Sequence, residues 1–171
     1  HFSGSNLAVQ IHYFYRPADQ INFRPLIDGG LLHSGDYYQI RFTPEQDGYA
    51  YVFQIDSSGG IYLLFPSQRG DVPQVSSVNP VQAGVGYFLP AADEAFQLDE
   101  QVGHEQIRFL AFKQRQLALE EHYTALVEAR RAQDPSRITE LQIQLDRKLQ
   151  SIKDGSMSVL NFKHNPRGTH E

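Results

Sequence analysis

The spacing of apolar residues changes at Lys113, and that change constrains the fold more than any single motif. Before it, apolar side chains recur mostly at every second position; over residues 113–153 they recur at steps of three and four. Alternate residues of a strand point to opposite faces, whereas positions three and four apart share one side of a helix. A β-rich body followed by a helical hairpin is therefore expected. A return to strand character at 158–162 makes the hairpin an insertion before the last strand.

The body reads as a series of short strands. Residues 7–15 put Leu7, Val9, Ile11, Tyr13 and Tyr15 on one face, and residues 37–43 turn Tyr38, Ile40 and Phe42 inward. Over 49–55, Tyr49, Tyr51, Phe53 and Ile55 alternate with Ala50, Val52 and Gln54, and 61–65 resumes the pattern after the turn residues of 56–60. Burying a ring stabilises by about 1.5–3 kcal/mol. The rings of 49–55 are accordingly expected in a layer between two sheets rather than on a ligand platform. Tyr62 and Leu64 are expected to face solvent or a partner. Residues 66–84 read as an irregular loop, and further strands follow at 85–89, near Phe96 and Leu98, and at 105–112. Strands at this spacing predict an immunoglobulin-like antiparallel β-sandwich.

In the hairpin, Leu119, Tyr123 and Leu126 form one stripe, with Val127 beside it. Ile138, Leu141, Leu145, Leu149 and Ile152 form another. Asp134 is placed to cap the second helix, Pro135 to occupy its first turn and Gly155 to end it. Each helix is expected to span about 17 to 20 residues, and the stripes to bury against each other. The boundaries that follow are 1–112 plus 156–164 for the sandwich, 113–155 for the hairpin and 165–171 for a polar tail.

Composition removes several functions. The formal charge of −5 does not suit non-specific nucleic-acid binding. With no cysteine, disulfides, thiolate metal sites and cysteine nucleophiles are excluded. No apolar run is long enough to span a bilayer. Residues 113–153 hold eight basic and six acidic side chains, a mildly basic arm on an acidic body. Its charges read as a solvated surface. The seven histidines show no metal-ligand spacing, and no nucleophile elbow, phosphate loop or dinucleotide fingerprint occurs. No cofactor is expected. The tripeptide at 69–71, Arg-Gly-Asp, is read as chance. The first residue is His1 rather than methionine, which admits a removed export signal or a preceding domain. The compartment stays open, with a periplasmic or extracellular one favoured over the cytoplasm.

Several separated elements agree with one known pattern. They are Leu32, Gly35 and Asp36; Asp47 through Phe53; Gly59 or Gly60; Leu64 to Pro66; Phe88 to Pro90; and Gly103 with Glu105. Over roughly residues 31–112 the chain resembles the bacterial domain of unknown function 4384 family. The resemblance implies a small β-rich module, usually attached to other domains, including kinase-like and protease-like ones. It brings no catalytic residues. Within that pattern Gly35 and Gly48 are expected at turns, with Asp36 and Asp47 bonded to backbone amides. Glu105, opening a strand after Gly103, is expected to cap an edge or pair with a neighbour, and it is also the motif carboxylate expected to lie exposed near a loop.

The expected function is a non-catalytic accessory module that binds a protein partner or its own upstream domain. A second copy could dock on any apolar surplus of the hairpin. The rival is an extracytoplasmic carbohydrate or cell-wall binder using loops 56–60 and 66–84. A hydrolase built on His104, Glu105 and a distant acid is the third reading. The interaction candidates are Tyr62, Asp56, His104 and Glu105.

Overall fold

The computed structural model describes residues 7–66, 79–152 and 155–167. Among these residues, ten strands and two helices follow in order. They are β1 (Val9–Arg16), β2 (Arg24–Pro25), β3 (Gly30–His33), β4 (Tyr37–Pro44), β5 (Tyr49–Ile55), β6 (Ile61–Phe65), β7 (Tyr87–Leu89), β8 (Phe96–Gln97), β9 (Gly103–Phe112), α1 (Leu117–Arg131), α2 (Pro135–Ser151) and β10 (Ser156–Asn165). The fold is mainly β, with two sheets packed as an open sandwich. One sheet runs β2-β1-β4-β7, with β8 also paired to β4; the other runs β3-β10-β9-β5-β6. Pairing is antiparallel except between β3 and β10. The tripeptide at 69–71 and most of the loop assigned to 66–84 lie outside the described residues.

Between the sheets lies the first core. Tyr38, Ile40 and Phe42 of β4 meet Ala50 and Val52 of β5, Ile107 and Phe109 of β9 and Phe162 of β10. Phe42 is its hub. It stacks on Tyr87 at 5.0 Å and meets Phe65 and Phe109 edge-on at 5.2 and 4.9 Å, arrangements that suit the ring quadrupole.

The rings of β5 are buried as expected but in a different layer. Tyr51 and Phe53 point away from the facing sheet and pack beneath the hairpin. There they form a second core with Ile61, Leu110, Phe112, Leu119, Tyr123, Leu126, Leu141, Leu145 and Leu149. The small residues Ala50 and Val52 line the inter-sheet side. The cause is that β5 is covered on both faces, so alternation separates two buried environments rather than inside from outside. The helical stripes correspondingly bury against the sheet as well as each other. Their order from one side is sheet, sheet, hairpin.

The helices run 15 and 17 residues, so α1 is shorter than expected. Asp134 caps α2, its carboxylate accepting from the Arg137 amide at 3.2 Å, and Pro135 occupies the first turn. The second helix ends at Ser151, ahead of Gly155. Gly155 instead passes the Phe112 ring, where a Cβ would lie 2.5 Å from Cδ1.

Candidate functional site

At one end of the inter-sheet layer, polar side chains replace apolar ones. The inward phase of β9 that carries Ile107 and Phe109 begins with Glu105, and that of β10 continues from Leu160 and Phe162 to His164. Glu105 and His164 are buried, with Ser34 from the turn after β3. They form a continuous relay. Ser34 Oγ lies 2.9 Å from His164 Nε2, and His164 Nδ1 lies 3.1 Å from Glu105 Oε2. Gln54 Nε2 donates to Glu105 Oε1 at 3.0 Å, and the Tyr38 hydroxyl donates to Gln54 Oε1. Burial raises the Glu105 pKa above the ordinary carboxylate range, opposed by the bonds from His164 and Gln54.

Two proton arrangements fit this relay. Either the Ser34 hydroxyl donates to His164 and the imidazole to a carboxylate, or a protonated Glu105 donates to His164 and the imidazole to Ser34. The first has the connectivity of a nucleophilic triad. Ser34 also borders a cleft of about 560 Å³, together with Gly35, Gln97, Asp99, Glu100 and Arg167. The backbone around Ser34 is less suited to that chemistry. Acyl transfer requires donors aimed at the developing oxyanion. Here the Ser34 amide donates to Asn165 O at 2.9 Å and the Gly35 amide to Leu98 O at 3.0 Å. As arranged, the relay ties the end of β10 to the β3–β4 turn and to β9.

The four residues singled out from sequence do not converge as a site. Glu105 is buried, not exposed, because its strand phase directs it between the sheets. His104, its neighbour, points the opposite way and meets Asn161 Oδ1 at 3.0 Å on the outer face. Adjacent strand residues cannot share one side, so a site combining the two does not form. Asp56 shapes the β5–β6 turn, where Oδ1 accepts from Ser58 N, Ser58 Oγ and Gly60 N at 3.0, 2.6 and 2.8 Å. Tyr62 is 44% exposed. The guanidinium of Arg130 nevertheless covers its ring at 4.3 Å while donating to Ile61 O at 2.6 Å. Asp36 and Asp47 bind backbone amides as expected. Asp36 accepts from Ala18 and His33, and Asp47 from Ala83.

Ser34, Gln54 and His164 were not among the sequence candidates. His164 had a legible signal, since extending the 158–162 alternation by two positions places a histidine on the buried face.

The hairpin leaves part of its sheet bare. Its cover reaches β9, where Arg108 pairs with Asp146 of α2 at 3.2 Å. On β10, Met157 and Val159 share that outer face and are 40% exposed each; Leu31 on β3 is 45% exposed. Ile27 is exposed in the loop before β3. Among the described residues no group of three His, Cys, Asp or Glu gathers where it could hold a metal ion. No described helix is long and apolar enough to cross a membrane.

The model of one family, the domain of unknown function 4384, matches residues 32–115. The matched span contains Ser34, Gln54 and Glu105 but not His164. No curated protein and no solved structure matches the chain. Residues 32–115 are therefore similar to the domain of unknown function 4384 family, in agreement with the resemblance read over roughly residues 31–112.

Proposed function

We propose that this chain is a non-catalytic accessory module that binds a protein, either another chain or a neighbouring domain of its own. The observation that carries the reading is the exposed pair Met157 and Val159 on β10, in a sheet whose other half is covered by the hairpin. Neighbouring apolar side chains left in water on one strand, Met157 and Val159, favour a protein surface that removes them from solvent. The immunoglobulin-like character expected from strand spacing belongs to the same proposal. A role for Tyr62 in stacking on sugars is disfavoured, because Arg130 already occupies the ring. In the full-length protein in its own cells, a photo-crosslinking side chain in place of Val159 should give an adduct with one defined protein. The same side chain in place of exposed Arg137 should not. Met157→Asp combined with Val159→Asp should abolish co-purification of that protein with the fold intact. Absence of an adduct at Val159 would contradict the proposal.

The Ser34–His164–Glu105 relay favours a second reading, ester hydrolysis at the cleft. Labelling of Ser34 by a fluorophosphonate, with ester turnover lost in Ser34→Ala, would overturn the non-catalytic assignment. No labelling and no turnover would sustain it.

A further inference from the structure

We propose that the outer face of the sheet built on β1 and β4 binds an extended, acidic protein segment through Arg16 and Arg41. This surface is separate from the exposed pair on β10, and the inference does not depend on it. Positions facing outward on these strands carry a pattern that the inward alternation conceals. On β1 they are Gln10, His12, Phe14 and Arg16, and on β4 they are Tyr37, Gln39, Arg41 and Thr43, with Phe88 of β7 beside Arg41. Arg16 lies over Tyr37 at 4.0 Å and Phe23 at 5.5 Å; Arg41 lies over Phe14 at 4.5 Å and Phe88 at 5.5 Å. Each guanidinium thus lies within reach of two rings, with Arg41 exposed and Arg16 half-buried.

Neither arginine pairs with a carboxylate among the described residues. Arg16 donates to a backbone carbonyl, that of Gln20, at 2.7 Å. No outward position of β1, β4 or β7 is acidic. The bordering loop carries Asp93 and Glu94. It meets the face through the carbonyls of Ala91 and Glu94, which accept from Gln39 Nε2 at 3.5 and 2.9 Å. On a chain of net charge −5, a face with arginines and no strand carboxylate is complementary to an acidic ligand.

Spacing selects the kind of ligand. Arg41 lies opposite His12 in the ladder, four residues along β1 from Arg16. At about 3.3 Å per residue the two arginines are roughly 13 Å apart along the strand. Carboxylates four residues apart on an extended peptide have the same separation, and guanidinium binds carboxylate in a two-pronged fork. Single-stranded nucleic acid is bound differently, by bases stacking on open aromatic faces. Here the arginines cover those rings already, which favours the acidic peptide.

The test is fluorescence anisotropy with the full chain at low salt. The probe is a labelled Gly/Ser peptide carrying glutamates at positions i and i+4. Saturable binding is expected, weakening as salt rises. Arg16→Gln and Arg41→Gln should each weaken it about five-fold, and the double variant should abolish it. Arg137→Gln, on the hairpin, should leave it unchanged. Thermal melts would confirm that each variant remains folded; if a glutamine variant does not, Arg41→Lys should still weaken binding by losing the fork. The proposal fails if no saturable binding occurs, or if Arg137→Gln weakens it as much as the face variants. It also fails if an oligothymidine binds more tightly than the peptide with the same arginine dependence.

Discussion

Glu105 has both carboxylate oxygens engaged in the inter-sheet layer, one by Gln54 and one by His164. Burial lifts its folded pKa above the unfolded value. The protonated form is therefore favoured in the fold, and ionising Glu105 reduces stability as pH rises through the folded value. Removing the side chain has a different effect, since it strands two buried polar partners. Glu105→Ala should lower unfolding free energy by about 2–4 kcal/mol, whereas His104→Ala on the outer face should cost under about 1 kcal/mol. Urea denaturation of the two variants checks this, and a larger loss from His104→Ala would contradict the placement. The sequence marked Glu105 through its Gly-x-Glu pattern but not its surroundings. Its main partners, Gln54, His164 and, through His164, Ser34, come from three other segments, and a polar cluster assembled by tertiary contact leaves no local spacing. The arginine–aromatic face escaped for a related reason. Its members are ordinary outward residues until strand register sets β1 beside β4.

At the element scale, the hairpin joins its sheet through a polar contact as well as an apolar one. The Tyr51 hydroxyl donates to Glu120 Oε2 at 2.6 Å and accepts from the Gln116 amide at 3.1 Å. Arg115 Nη2 bonds Glu120 Oε1 at 2.8 Å. Arg115 above all, with Tyr51 in support, holds the Glu120 carboxyl below its ordinary pKa. A depressed folded pKa contributes stability above the unfolded value, about pH 4.3, that is lost as pH falls through the folded one. Glu120→Gln should therefore destabilise at neutral pH, and its deficit against the parent chain should close in acid. Melting temperatures measured across that range test it; a deficit that persists at low pH would contradict the ion pair. Strand and helix limits near this joint were largely legible, including the Asp134 cap. The course of β6 was not. A bulge opposite Val52 and Phe53 shifts the register, so Ile61 and Leu63 face the hairpin while Phe65 enters the inter-sheet core. Strict alternation would have put all three on one face.

Across the whole molecule, the hairpin is a third layer rather than a free arm. Both periodicities that define the chain meet at the sheet of β5 and β9, which is apolar on both sides there. Periodicity showed that the rings of β5 are buried but could not say against what, because either face of a doubly covered strand satisfies it. That distinction shapes the functional reading. The apolar stripes of the hairpin pack on the sheet, with Leu117 and Ile143 left exposed on its outer side, and the two contact surfaces proposed above lie on β10 and on the arginine face. Phe53 and Tyr123 meet edge-on at 6.0 Å across the sheet–hairpin boundary. A double-mutant cycle of Phe53→Leu and Tyr123→Leu, read by equilibrium unfolding, tests the layer order most directly. A coupling of about 0.5–1.5 kcal/mol between the two positions is predicted. Additive losses at Phe53 and Tyr123, with Phe53 coupled to Phe42 of the facing sheet instead, would contradict it.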